Sequence, residues 1–246
     1  MEAKKSLGQH FLRDATVARR IVEQLKGATS IVEIGGGKGA LTRWLVELGV
    51  PVRVVEIDRK LAEFLKRHFA EKGVEVFCAD ATSFVLPHKC SVVGNLPYNV
   101  AKRIIANMAK QRQNIEKMVF MVQKEVANTI VAQPGTPDYT RFSVFVQLYF
   151  KVNRLFDVPA GAFVPKPKVV SSVVSFYPYE TSCLGIEPDE GFFKYLSSLF
   201  AHPRKKVRNN LKGLISGDCS SGFLDKRPGE LTIEDIYRLY KECIDE

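Results

Sequence analysis

Residues 95–98, Asn-Leu-Pro-Tyr, place a side-chain amide, a main-chain carbonyl, a rigid ring and an aromatic face in consecutive positions. That combination suits chemistry on an aromatic amine. An adenine amino group is a poor nucleophile because its lone pair is delocalised into the ring, and two hydrogen-bond acceptors can localise that pair without a strong base. Asn95 offers its amide oxygen, and Leu96, held extended by the proline that follows, offers its carbonyl. Tyr98 supplies a flat surface for an unstacked base, a contact worth roughly 1–3 kcal/mol, once the base has left its own stack. The alternative is a plain turn, with Asn95 capping a helix that starts near Val100.

Further groups recur at related places. In EIGGGKGALT (33–42), Gly35, Gly37 and Gly39 cluster where an apolar run must turn into a helix, which permits unusual dihedrals and close approach of a ligand to the backbone. No G-K-[ST] closes the turn, and G-x-G-x-x-G is met loosely, with Ala40 in the last place. Alone, the turn is equally a tight strand-to-helix connection. Glu56 closes the next apolar run about 20 residues on, where a carboxylate can accept from both hydroxyls of a ribose. Asp80, after the third run, can accept from an adenine amino group, while Asp58 faces solvent or caps the following helix. Glycine turn, Glu56, Asp80 and Asn95 all fall at the carboxyl ends of successive runs, where open α/β sheets bind ligands. A nucleoside-containing ligand is predicted, in a pocket bordered by 94–100.

The elements that must hold these residues are legible as alternating patterns. Seven strands are predicted, over 30–34, 52–57, 74–79, 91–94, 117–122, 142–150 and 171–177, with helices over 39–49, 59–70, 101–113 and 124–132. Gly49 is a plausible stop for the first helix. This is an α/β rhythm, a mostly parallel sheet covered by helices. A proline-rich loop, DVPAGAFVPKPKVV, separates the last two strands without a crossover helix and favours an antiparallel pair at one end of the sheet. Beyond about residue 181 only helical patterns remain, over 189–201, 203–215 and 232–243, with Pro203 in a first turn and Thr232 as an N-cap. Two domains are expected, 1–180 and 181–246.

The chain has 246 residues, 46% hydrophobic and 26% charged, with a formal net charge of +9. The charge suggests a polyanionic partner. Basic residues gather at Lys4-Lys5, Lys102-Arg103, Lys110-Arg112 and, from Arg204, Lys205, Lys206 and Arg208 to Lys212. Any one group is readily a solvated face; together they make a track for phosphates past the pocket mouth. The five cysteines lack metal spacing and read as reduced thiols, and the four histidines are scattered, so neither a metal site nor a serine-histidine-aspartate triad is expected. No apolar run approaches the roughly 20 residues of a membrane span, and MEAKKSLGQHFL has no apolar signal core, which predicts the cytoplasm. A monomer is the default.

In order along the chain, SLGQHFL (6–12), EIGGGKGALT (33–42), VVEID (54–58), NLPYNVA (95–101), FVPKPKVVSSVV (163–174) and FAHPRKKVRNNL (200–211) resemble the motifs of the rRNA adenine dimethyltransferase family, most closely its small-subunit dimethyladenosine transferase branch. Nearly the whole chain is covered. The resemblance implies a class I methyltransferase fold: a Rossmann-like seven-stranded sheet with the last strand antiparallel, and a small all-helical C-terminal domain that binds RNA. It implies S-adenosyl-L-methionine as methyl donor, S-adenosylhomocysteine as product and no metal. The implied substrate is 16S rRNA in small-subunit (30S) assembly intermediates, where two adjacent adenosines of the 3′-terminal hairpin loop each gain two methyl groups on the 6-amino nitrogen.

Carried over by position, His10, Leu12, Gly35, Gly37, Glu56, Asp80 and Asn95 surround the donor, Asn95 to Tyr98 form the catalytic tetrad, and Tyr98 and Phe163 sandwich the target base. His10, Leu12 and Phe163 rest on the resemblance alone. The chain departs from the family's usual pattern at His10, where asparagine is common, at Gly36, where proline is common, and at Pro203, which interrupts a basic run. Three other readings compete: a large-subunit rRNA adenine methyltransferase of the antibiotic-resistance type, an RNA-binding assembly factor with methylation secondary or lost, and a nicotinamide-dependent dehydrogenase, in which NLPY has no evident job.

Overall fold

The computed structural model describes residues 9–215 and 221–244. Lys4, Lys5, the first three residues of the SLGQHFL motif and Cys219 lie outside them. The chain forms two compact units. One comprises the residues up to Ala127 with Lys151–Glu180; the other comprises Asn128–Phe150 and the residues from Thr181 onward. The segment Asn128–Phe150, expected with the first domain, thus groups with the later helices.

The first unit opens with β1 (Phe11–Leu12) and α1 (Ala15–Glu23). Asp14 starts that helix by accepting from the amides of Thr16 and Val17, and Val17, Ala18, Ile21 and Val22 form its buried face. Then follow β2 (Ile31–Ile34), α2 (Thr42–Leu45), β3 (Val52–Glu56), α3 (Arg59–His68), β4 (Glu75–Cys78), β5 (Cys90–Asn95), α4 (Ala101–Lys110), β6 (Ile115–Gln123) and α5 (Lys124–Val131). All four residues of β2 are buried, as are all but the last of β5, which is why they read as continuous apolar runs. Gly49 ends the turn after α2 with φ of 70°, as expected. Asp58 is buried rather than solvent-facing and caps α3.

The run FSVFVQLYF, predicted as a strand, is instead α6 (Arg141–Tyr149). It is apolar on nearly every face, so no period distinguishes strand from helix, and the deciding signal straddles its start. Thr140 and Ser143 form a reciprocal capping box. The seventh strand is β7 (Phe150–Val158), which escaped the pattern because Lys151, Asn153, Arg154 and Asp157 interrupt it. It occupies the edge of the sheet, where one side of the ladder faces no other strand. After it come β8 (Phe163–Val164) and β9 (Ser171–Pro178).

The seven-stranded sheet has the order β4-β3-β2-β5-β6-β9-β7. Strands β2, β3, β4, β5 and β6 pair in parallel, and β9 runs antiparallel to β6. Strand order reverses between β2 and β5, so their carboxyl ends open a crevice. A separate two-stranded sheet pairs β1 with β8, Leu12 opposite Phe163.

In the second unit, α7 (Glu190–Leu199), α8 (Val207–Asn210) and α9 (Ile233–Cys243) follow. Thr232 caps α9 as expected. The long helix predicted over 203–215 is only the short α8, and Pro203 precedes it. Asn210 folds back to bond the amide and carbonyl of His202, holding 202–206 as a turn that excludes a longer helix. Cys78, Cys90 and Cys183 are free thiols, but Cys243 is disulfide-bonded, which corrects the expectation of reduced cysteines throughout.

Candidate active site

At the β2/β5 switch point lies a cavity lined by His10, Leu12, Gly35, Gly37, Glu56, Asp80 and the whole tetrad Asn95-Leu96-Pro97-Tyr98. The close approach of β2 and β5 depends on Gly94: a Cβ there would stand 2.5 Å from the Ile34 carbonyl oxygen. Gly35, Gly37 and Gly39 have φ of 73°, 55° and 76°, the left-handed conformations that carry the chain from β2 toward α2. At Gly36 the space that a side chain would use is filled by Val54 and Leu65, since a Cβ would lie 2.4 Å from Val54 Cγ1. Packing has absorbed that departure from the usual proline.

Glu56 ends β3 with its carboxylate tied at both oxygens. The Gly37 amide donates to Oε2 and the Asp58 amide to Oε1, each at 2.9 Å. Burial pushes its pKa up, against the pull of those two amides. The Ile57 amide also bonds the carboxylate, which keeps acceptor capacity for a ligand hydroxyl. Asp80 is exposed at the rim and accepts from the Thr82 amide at 2.8 Å. The Thr82 amide and hydroxyl, with Arg103 beside them, hold its carboxyl below the ordinary range. Ile57, exposed but lining the same cavity, adds an apolar wall next to Glu56.

Asn95 does not cap the following helix: Val100 is the N-cap of α4, and no side chain caps it. The amide nitrogen of Asn95 donates to the His10 carbonyl at 2.9 Å. A carbonyl only accepts, so the contact fixes which end of the amide faces His10 and leaves Oδ1 as the acceptor. The Leu96 amide bonds to the Met121 carbonyl at 3.0 Å, locking the tetrad's second member to β6. Tyr98 shares a hydrogen bond with Ser171 at 3.1 Å, and its phenol pKa is raised by burial.

The ring stacked on Tyr98 is His10, with centroids 5.2 Å apart and planes 29° from parallel. Its Nδ1 donates to the Pro165 carbonyl at 2.8 Å. Phe163 is 2% exposed, packs among Leu12, Val17 and Ala162 in the core, and does not line the cavity. Lys102 and Arg103 lie on the exposed side of α4. In the second unit Arg204, Lys205, Lys206 and Arg208 are exposed, and Lys206 and Arg208 both pair with Asp225.

One buried acid went unassigned in the sequence although it stands in the quoted motif. Glu33, at the end of β2, lines the cavity and accepts from the Thr42 hydroxyl at 2.6 Å. Burial, with the neighbouring Glu56 charge adding to it, pushes its pKa up to about 7. The signal was a carboxylate inside an otherwise apolar central strand.

A hydroxyl-accepting carboxylate, an apolar wall and a rim carboxylate, all at the carboxyl ends of adjacent strands, fit a nucleoside such as that of S-adenosyl-L-methionine. Among the described residues, no cluster of side chains could hold a metal ion. The profile of the ribosomal RNA adenine dimethylase family matches residues 1–245. The ribosomal RNA small subunit methyltransferase A of Methylococcus capsulatus is 41% identical over 224 residues, 86% of this chain and 85% of that protein. Among solved structures, a dimethyladenosine transferase from Plasmodium falciparum gives a TM-score of 0.82 at 24% identity, covering 95% of this chain and 97% of its own. The 23S rRNA methyltransferase ErmE gives 0.67 at 24% identity, covering 96% and 100%. Both structural likenesses concern the Rossmann-like methyltransferase fold, whereas the match along the sequence concerns descent. The chain belongs to the ribosomal RNA adenine dimethylase family.

Proposed function

We propose that this rRNA adenine dimethyltransferase modifies two adjacent adenosines in the 3′-terminal hairpin loop of 16S rRNA, acting on small-subunit (30S) assembly intermediates as a monomer. Methyl transfer to rRNA adenine follows from its family; the particular adenosines and the particle are this proposal's own. Among the described residues no helix is long and apolar enough to cross a membrane.

What S-adenosyl-L-methionine supplies when bound is an electrophilic methyl group. Glu56 would hold the ribose hydroxyls, Ile57 would supply an apolar wall for the adenine, and Asp80 would accept from its amino group. The target base leaves its stack and lies against Tyr98. Asn95 Oδ1 and the Leu96 carbonyl accept from its 6-amino group, localising the lone pair that attacks, and the spare proton departs afterwards to solvent. No covalent bond to the protein forms. Because the Nδ2 contact of Asn95 to His10 sets the amide's orientation, the acceptor is in place before the substrate arrives.

The test is transfer of labelled methyl from S-adenosyl-L-methionine to purified small-subunit particles lacking these modifications, with nucleoside analysis and large subunits as control. Dimethyladenosine in the 3′-terminal hairpin is the expected product. Label entering 23S rRNA instead would replace the small-subunit assignment with the large-subunit one, and tight particle binding without transfer would point to an assembly factor.

A further inference from the structure

Beside the donor cavity, sharing Phe11, Leu12, Lys38 and Ala40 with it, lies a second cavity of about 280 Å³. A water molecule's share of volume is about 30 Å³, so the space admits a ligand group and not merely one trapped solvent molecule. Its polar lining differs in kind from that of the first. Arg13, Lys38 and Arg43 bring three cations to it, and Asp14 the one carboxylate.

That carboxylate is already engaged at the start of α1, accepting from the amides of Thr16 and Val17 at 2.9 and 3.1 Å. The cations are not neutralised. Arg43 donates through Nε to the Gly39 carbonyl, and Lys38 lies 4.8 Å over the Phe11 ring. Among the described residues, none of the three side chains forms an ion pair with a carboxylate. Trp44 lines the same cavity, with its indole Nε1 buried and without a hydrogen-bond partner among the described residues. Arg19 adds a fourth cation, its guanidinium 4.1 Å above the Trp44 ring. Exposed like charges gathered without a counter-charge raise the local positive potential, which an anion in the cavity lowers.

We infer that this second cavity takes a backbone phosphate of the substrate RNA, close to the nucleotide whose base enters the adjoining cavity. The geometry adds a binding surface on β1, α1 and α2, separate from the basic residues of α4 and of the second unit. Arg13 and Arg43 supply charge-assisted donors to the phosphate oxygens, as arginine does at phosphate sites generally. The phosphate fixes the register of the strand while the base is read next door. This inference rests on the proposed RNA substrate.

The experiment compares wild type, Arg13→Gln/Arg43→Gln and Arg13→Lys/Arg43→Lys. Binding to unmodified small-subunit particles is followed against salt, and affinity for S-adenosyl-L-methionine is measured by calorimetry on the same preparations. The glutamine pair is expected to flatten the slope of log affinity against log salt by about 1 for each phosphate it no longer neutralises, with donor affinity held. The lysine pair should keep the wild-type slope, which separates removal of charge from failure to fold. Identical slopes and affinities for wild type and the glutamine pair would overturn the inference. Inorganic phosphate binding to the wild type and not to the glutamine pair, with RNA slopes unchanged, would also overturn it, in favour of a small-anion site. Absence of methyl transfer by wild type to the particle would instead count against the proposed substrate, so the two failures are distinguishable.

Discussion

At the scale of single residues, the site works by fixing polar groups before substrate is present. Asn95 is the sharpest case, since its nitrogen is committed to His10 and its oxygen is left to accept. Asn95→Ala should lower kcat by about 10²–10³-fold, the usual cost of removing one preorganised hydrogen-bonding group, with a loss of only about 1 kcal/mol of stability from the broken bond to His10; near-normal turnover would remove Asn95 from the mechanism. Glu33 makes a different prediction. Its folded-state pKa of about 7 exceeds the ordinary 4.5, so between those values the folded protein holds a proton that the unfolded chain releases. Its contribution to stability is full below the window and lost as pH rises through about 7. Glu33→Gln should therefore flatten the fall in denaturant-derived stability between pH 5 and 8, by on the order of 3 kcal/mol at most; parallel curves for the two proteins would contradict this account. Glu56, Asp80 and Asn95 were legible in the sequence because each closes an apolar run, whatever packs around it. The His10–Tyr98 stack and the burial of Phe163 were not, because both depend on the pairing of β1 with β8, and no local pattern reports contacts between distant segments.

At the scale of elements, glycines decide how closely strands approach. Gly94→Ala would drive a Cβ to 2.5 Å from the Ile34 carbonyl, a backbone atom that cannot turn aside. A loss of about 1–3 kcal/mol of stability is expected, together with weaker donor binding, because the same β2–β5 gap frames the cavity. Thermal melts with and without S-adenosyl-L-methionine would read both effects, and an unchanged melting temperature would show that β5 has room to move. The helix α6 illustrates where pattern reading ends. FSVFVQLYF has the β-branched and aromatic content of a strand, yet Thr140 and Ser143 cap it as a helix and the neighbouring segment takes the edge of the sheet. Thr140→Ala should cost about 1 kcal/mol in chemical denaturation. A cap straddling the start of the apolar run carried more information than the run's composition.

At the scale of the whole molecule, a net charge of +9 acts over distances that individual side-chain pairs do not. Affinity for the small-subunit particle should fall steeply with salt, read as a linear plot of log affinity against log salt concentration. A flat response would exclude phosphate contacts from the interface. The basic residues contribute unequally, since Lys206 and Arg208 already share Asp225, so replacing Lys205 should change the slope more than replacing Lys206. The order of the sheet carries a further consequence, for synthesis. Phe11 and Leu12 have no partner strand until Phe163 and Val164 exist, and His10 finds its acceptor at Pro165, 155 positions later. A growing chain at the ribosome must therefore carry its first strand unpaired through most of translation. The β1–β8 pair and the His10–Pro165 contact can therefore form only after the segment at 163–165 has cleared the exit tunnel.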